Sequence, residues 1–189
     1  MPSMYIVAGC NGAGKTTASY TILPQIFNCK EFVNADEIAK GLSPFQPETV
    51  SIQAGRIMLQ RIKFLIQQNV DFAFETTLAT KSYVSLIREA KAKNFTVILF
   101  FLWLDSPKLA LERVKERVLR GGHSIPPEVI ERRYERGLKN LPPFISLADN
   151  WLVADNSNDN PKVIAEGKSE IEILVHNTDL WNLITNYGN

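Results

Sequence analysis

The sequence predicts an α/β protein with a mainly parallel five-stranded sheet and helices on both faces, in a single domain over residues 1–189. Three observations predict it. Short apolar runs alternate along the chain with segments of helical spacing. Two of the runs, "VDFAFE" and "FTVILFFLWL", are apolar without alternation, as strands covered on both faces of a parallel sheet should be. The first run, "MYIVAG", passes through a glycine loop straight into a helical pattern.

Each element has its own local reason. "TTASYTILPQI" continues the glycine loop as a helix expected to stop near Pro24. "EFVNADEIAKGL" reads as strand, turn and short helix, with Asn34 as N-cap and Glu37 at the third position. After a Pro-containing loop, Val50, Ala54, Ile57, Met58, Ile62, Leu65 and Ile66 fall at helical spacing. "YVSLIREAKAKN" and "PKLALERVKERVLR" supply the next helices, the second with Ser106 as cap and Pro107 in its first turn. A helix through "PPEVIERRYERGLKNL" follows, then "WLVADNS" as the fifth strand ending in a polar turn. The tail, "KSEIEILVHNTDLWNLITNYGN", is strand-like and then helix-like, with no role assigned to it.

Composition narrows the function. With 45% apolar and 22% charged residues the chain reads as an ordinary soluble globular domain. A net charge of +1 excludes the strongly basic balance of a dedicated nucleic-acid binder. Cys10 and Cys29, the two cysteines, form neither a disulfide framework nor a zinc-binding spacing. The apolar run from Phe95 to Leu104 is too short to span a bilayer, and "MPSMYIVAGC" lacks the pattern of a signal peptide; no membrane association and a cytoplasmic location are expected. The charge is uneven: residues 81–140 carry thirteen basic and seven acidic groups, which suggests a local anionic ligand.

"GCNGAGKT" fits G-x-x-x-x-G-K-[ST] through Gly9, Gly14, Lys15 and Thr16. Glycines let successive backbone N–H groups turn onto phosphate oxygens, and the following helix presents its positive end to them. Residues 9 and 11–17 (Gly9, Asn11, Gly12, Ala13, Gly14, Lys15, Thr16 and Thr17) therefore form the expected nucleotide cradle. Lys15 reaches the outer phosphates and the Thr16 hydroxyl is placed for Mg²⁺. The loop makes the fold class a P-loop NTPase or kinase. No Asn-Lys-x-Asp sequence for reading guanine follows a strand, and the chain has little room for the added elements of large ATPase machines. Transfer to a small acceptor is favoured.

Four further groups bear on that transfer. Asp36, just past the second strand, stands where an acid can take a proton from an attacking hydroxyl; the alternative is that Asp36 and Glu37 complement the helix dipole. Glu75 ends a buried strand and is followed by Thr76 and Thr77, an expensive place for an idle carboxylate; it can hold Mg²⁺ through water or bond the acceptor, or else cap the next helix. Arg113, Arg117 and Arg120 share a helix face, and Arg132, Arg133 and Arg136 lie on the next helix, with "GGHSIPP" between them as a loop able to close. This region, about 113–136, is the expected lid, whose arginines can neutralise charge on the transferred group; Glu116–Arg120 and Glu128–Arg132 spacings account for some of them as surface pairs. Arg56 can read an anionic acceptor or simply face solvent. His123 is a loop contact, and Asp105 belongs to a helix start.

Together, "GCNGAGKTT", "NADEIAKGLSP", "AGRIMLQRI", "FAFETTLA" and "RGGHSIPPEVIERRYERGLKNL" resemble the zeta-toxin family of P-loop kinases, especially its shorter stand-alone members, from about Met4 to Ser157. The resemblance implies a five-stranded kinase core with a helical lid and ATP with Mg²⁺ as donor. It implies Asp36 as catalytic base and Lys15 with lid arginines, Arg120 and Arg133 among them, stabilising charge. Glu75 and Thr77 would hold the acceptor, and lid arginines from 117 to 133 would bind phosphates; Arg56 and Arg117 are the further candidates for substrate binding. The family's toxins phosphorylate UDP-N-acetylglucosamine at the sugar's 3′-hydroxyl, and an antitoxin is the implied protein partner. Their pattern has Gly-Thr after the acceptor-site acid, where this chain has Thr76-Thr77. Two other readings stay open: a nucleotide-binding regulatory ATPase acting through a partner, and a kinase of another small metabolite.

Overall fold

The computed structural model describes residues 1–122, 124–169 and 171–187. The chain runs through β1 (Ser3–Gly9), α1 (Lys15–Gln25), β2 (Phe32–Val33), α2 (Ala35–Leu42), a 3-10 turn (Pro47–Val50), α3 (Ser51–Gln68), β3 (Phe72–Thr76) and α4 (Ser82–Ala92). It continues through β4 (Thr96–Trp103), α5 (Pro107–Leu119), α6 (Pro127–Leu147), β5 (Asn150–Asp155), β6 (Lys162–Lys168), β7 (Glu172–Val175) and α7 (Thr178–Thr185). The strands form one sheet in the order β2-β3-β1-β4-β5-β6-β7.

The first five strands of that order pair in parallel, as expected. The sheet as a whole is mixed and seven-stranded, because the tail adds β6 and β7 in antiparallel pairing. Connection length explains the change of direction. A parallel return from β5 needs a crossover of about a dozen residues or more, and the segment 156–161 permits only a turn back along the same edge. The tail helix α7 then lies against α6 and β6, with Trp181 stacked on Trp151 of β5 at 5.4 Å between ring centroids.

The core has two parts, one on each side of the sheet. The larger holds Met4, Ile6, Phe72, Phe74, Val97 and Leu99 against Met58, Ile62 and Ile66 of α3, Ile87 of α4, and Leu138 and Phe144 of α6. The smaller packs Tyr5, Leu23, Cys29 and Ala73 with Phe27, Ile98 and Phe100 beneath α1. Burial on both faces, expected for β3 and β4 alike, is complete at Phe72, Ala73 and Phe74 of β3. In β4 it alternates, with Ile98 and Phe100 half-buried, because α1 covers its face only partly. A groove of about 810 Å³ runs along that thinly covered face, away from the carboxyl ends of the parallel strands.

Sequence and local structure agree at the caps. Asn34 accepts at its side chain from the backbone N–H groups of Asp36 and Glu37, and Ser106 accepts from that of Leu109. Helix α1 does end near Pro24, although it takes the proline in and closes one residue beyond it, at Gln25.

Candidate functional site

All five parallel strands point their carboxyl ends the same way, so the loops after β1, β2, β3, β4 and β5 gather at one end of the sheet. After β1 the backbone needs positive φ at three points: Gly9 (144°), Gly12 (81°) and Gly14 (82°). Gly14 is the N-cap of α1 and takes the left-handed conformation that glycine adopts without a Cβ penalty. Above the loop, the start of α5 closes in; a side chain at Gly12 would meet the Ala110 carbonyl at 2.9 Å.

Lys15 is 6% exposed. Its ammonium donates to the Cys10 carbonyl at 2.8 Å and lies 3.6 Å from Oε1 of Glu75. The Thr16 hydroxyl donates to Oε2 of Glu75 at 2.9 Å, and the Asn34 side-chain amide donates to the same oxygen at 3.0 Å. Glu75 is thus the junction of three loops. Its carboxylate faces the residues expected to grip phosphate and metal, and also lines a cavity of about 310 Å³ with Lys15, Asp36, Thr77, Tyr83 and Arg133.

The far wall of that cavity is equally well supported. Leu78 is buried with φ 53°, an uncommon conformation for leucine. Two bonds hold it there: its N–H donates to the Thr76 hydroxyl at 3.1 Å, and its carbonyl accepts from the Asn140 amide at 2.7 Å. Gly137 on α6 sits so close to the Thr77 carbonyl that a side chain there would approach it to 2.6 Å. Thr77 is therefore pinned by α6. Tyr83 stacks on Phe74 at 5.1 Å, and burial raises its hydroxyl above the ordinary tyrosine value.

Arg133 projects from α6 towards the phosphate loop, donating to the Asn11 side-chain oxygen at 3.3 Å. Burial lowers its guanidinium from the ordinary arginine value; the Asp36 carboxylate opposes that effect and Arg132 adds to it. Helix α6 is anchored in the core through Ile130, Tyr134, Leu138 and Leu141, so Arg133 stands at the cavity without any closing movement. Cys10 lies buried inside the loop, and burial pushes its thiol up to about 11, with Lys15 opposing.

The structure therefore brings together Asn11, Lys15, Asp36, Glu75, Thr77 and Arg133 around one cavity, with Thr16 beside Glu75. Thr17 is exposed on α1, Arg56 is exposed on α3, and Arg120 is exposed at the C-cap of α5. Arg117 is half-buried one turn earlier, and its carbonyl accepts from Gly122 N–H. His123 lies outside the described residues. Asp105 belongs to the α5 cap, accepting from the Ser106 hydroxyl.

Sequence reasoning missed two braces of the phosphate loop. Asn156 donates its side-chain amide to the Ala13 carbonyl at 2.8 Å. Arg113 holds the other side of this contact, donating to the carbonyls of Asn156 at 2.7 Å and Ser157 at 2.9 Å. The available signal was position: Asn156 begins the polar turn after the fifth strand, at the end of the sheet where ligands collect. It also missed the second task of Asn34, read only as a helix cap.

The donor set suits Mg²⁺. A hydroxyl and a carboxylate within 2.9 Å of each other, Thr16 and Glu75, are hard oxygen donors of the kind that ion takes. Among the described residues no group of three or more His, Cys, Asp or Glu side chains is placed to hold a metal ion.

The family model described as Zeta toxin matches residues 1–160. An uncharacterized protein of Haemophilus influenzae is 32% identical over 129 residues, 67% of this chain and 88% of that protein. Among solved structures, the AvrRxo1-ORF1:AvrRxo1-ORF2 complex with sulphate ions aligns with a TM-score of 0.77 at 19% identity, covering 100% of this chain. This chain spans only 65% of that relative's length. The same complex with ATP gives a TM-score of 0.75 at 18% identity, over 100% and 65% of the two chains. The PezAT chromosomal toxin-antitoxin system of Streptococcus pneumoniae aligns at a TM-score of 0.68 and 15% identity, over 100% of this chain and 80% of that one. At these identities the structural likeness establishes the fold.

Proposed function

The chain belongs to the Zeta toxin family, matched over residues 1–160, and from that premise we propose that it is a kinase moving the γ-phosphate of ATP to a hydroxyl of a small acceptor. UDP-N-acetylglucosamine is the first acceptor to try. The observation that carries this reading is the convergence of Lys15, Asp36, Glu75 and Arg133 on one cavity beside the phosphate loop. A carboxylate at Asp36, beside the phosphate loop and on the same cavity, is the group that a transfer to a hydroxyl needs and that nucleotide binding alone does not.

In this reading the glycine loop and the start of α1 receive the phosphates. Lys15 exchanges its contacts with Cys10 and Glu75 for the outer phosphate oxygens. Thr16 and Glu75 would hold Mg²⁺, which when bound neutralises charge on the phosphates. The acceptor hydroxyl approaches from the cavity, oriented by Thr77 and Glu75. Its oxygen forms a bond to the γ-phosphorus as the bond to the bridging oxygen breaks, the electron pair leaves with ADP, and the hydroxyl proton passes to Asp36. Arg133 lies on the same side and offsets charge spread over the transferred group.

Two of the structural neighbours, one a complex with ATP and one a toxin-antitoxin system, support ATP as donor and an antitoxin-type protein as partner. No described helix is long and apolar enough to cross a membrane. Thr76 stands where the family pattern has glycine, which favours keeping other small hydroxyl acceptors in the panel.

The test is ADP release from Mg-ATP with and without a panel of acceptors headed by UDP-N-acetylglucosamine, with mass analysis of products. Stimulation with a product heavier by one phosphate supports the kinase and identifies its acceptor. ATP binding with no stimulation by any acceptor overturns the reading in favour of a regulatory ATPase.

A further inference from the structure

Asn34 does two jobs with one side chain. Its Oδ1 accepts from the N–H of Asp36 at 2.8 Å and of Glu37 at 3.3 Å. Its Nδ2 donates to Oε2 of Glu75 at 3.0 Å. The orientation of the amide is dictated by its partners, because backbone N–H groups demand an oxygen on one side and a carboxylate demands a donor on the other. Asn34 is 6% exposed, which shields these bonds from most of the solvent.

The juxtaposition follows from sheet register. In the parallel pairing of β2 with β3, Val33 stands opposite Phe74. One step further along both strands, Asn34 comes level with Glu75, and their side chains share a face. The strand β2 is only two residues long, so the chain leaves the sheet at this point and enters α2 with Asn34 as its cap.

Glu75 in turn holds Thr16 through the same Oε2 and Lys15 through Oε1. A continuous path therefore runs from the phosphate-gripping side chains through Glu75 and the Asn34 amide to the backbone of Asp36. When Lys15 and Thr16 turn to a nucleotide, Asn34 is the partner that Glu75 retains.

We propose that Asn34 is a positioning residue for phosphoryl transfer: it ties the N-terminus of α2, and with it Asp36, to the Glu75 carboxylate, so that the base keeps its place relative to the bound nucleotide. The inference rests on the reading of Asp36 as base. Other side chains do half of the work. Serine and aspartate cap a helix about as well as asparagine, but neither supplies the amide donor, and aspartate adds a negative charge against Glu75.

The experiment compares Asn34→Ser, Asn34→Asp and Asp36→Asn with the unmodified protein, measuring kcat, KM for ATP, Mg-ADP affinity and thermal midpoint with the acceptor that the panel identifies. The expected result is a kcat lower by about 10- to 100-fold in Asn34→Ser, and lower still in Asn34→Asp. In Asn34→Ser, the variant that adds no charge, KM for ATP, Mg-ADP affinity and thermal midpoint should stay close to those of the unmodified protein. Unchanged kcat in both Asn34 variants overturns the inference. So does a fall in kcat that only tracks a fall in thermal midpoint and nucleotide affinity, the mark of a purely structural cap. If Asp36→Asn itself retains full kcat, the base assignment fails, and the inference falls with it for that separate reason.

Discussion

Asn156, at the end of β5, donates its side-chain amide to the carbonyl of Ala13 in the phosphate loop, 2.8 Å away and 143 positions distant in sequence. The bond ties the fifth strand to the loop that follows the first, two strands across the sheet. It also fills the space beside Gly14, where a side chain would come within 2.7 Å of the same amide nitrogen. The loop's conformation is thus a property of β1, α1, β5 and, through Arg113, α5.

Replacing Asn156 with alanine removes this brace and leaves the two Arg113 bonds to backbone carbonyls in place. One hydrogen bond contributes about 1 kcal/mol net, so Mg-ADP affinity should fall roughly fivefold with the fold intact. Titration calorimetry reads this directly; equal affinities in the two proteins would remove Asn156 from the site.

Lys15→Ala should lower turnover by about 100-fold or more, the scale of losing a group aimed at developing charge. Thr16 and Asn34 still hold Glu75 in this variant, so circular dichroism and thermal midpoint should change little. Steady-state kinetics with the best acceptor makes the comparison, and retention of most of the turnover would contradict the assignment.

Asp36→Asn keeps size and helix position while removing the proton acceptor. Turnover is expected to fall by about 100- to 10,000-fold, with Mg-ADP binding preserved because Asp36 belongs to α2 and not to the phosphate loop. Full turnover with every acceptor would refute the base role.

Gly137→Ala tests the contact between α6 and the wall of the cavity. Alanine is intrinsically better in a helix by about 1 kcal/mol, yet its Cβ would meet the Thr77 carbonyl at 2.6 Å. Overpacking of this kind costs about 1–3 kcal/mol, so the thermal midpoint should drop and KM for the acceptor should rise. A more stable variant with unaltered KM would mean that Thr77 moves freely.

Cys10 sets a pH dependence. Burial raises its thiol from 9.0 to about 11, so the unfolded chain loses this proton before the folded one does. Its stabilising contribution is complete below pH 9 and is lost as pH rises through about 11. Denaturant titrations between these values should show stability falling with pH, less steeply in Cys10→Ala; an equal slope would contradict the assignment. In the native protein iodoacetamide should label Cys10 slowly at pH 8, and rapid labelling would show that the loop opens.

The phosphate loop, the caps at Asn34 and Ser106 and the five parallel strands were all legible in the sequence. Each depends on residues within a few positions of one another: glycines that permit positive φ, side chains that bond the next turn, apolar runs that demand burial. The order of motifs from "GCNGAGKTT" to "FAFETTLA" was enough to indicate the family. The partners of those motifs were decided elsewhere. That Glu75 faces Lys15, Thr16 and Asn34, that Asn156 braces Ala13, and that Arg133 rather than Arg120 reaches the cavity all follow from strand order and from the anchoring of α6. The tail's two antiparallel strands belong to the same class, because direction was set by a connection too short to cross the sheet. Local chemistry is written in spacing along the chain, whereas contacts between distant segments exist only once the packed sheet brings its strand ends together.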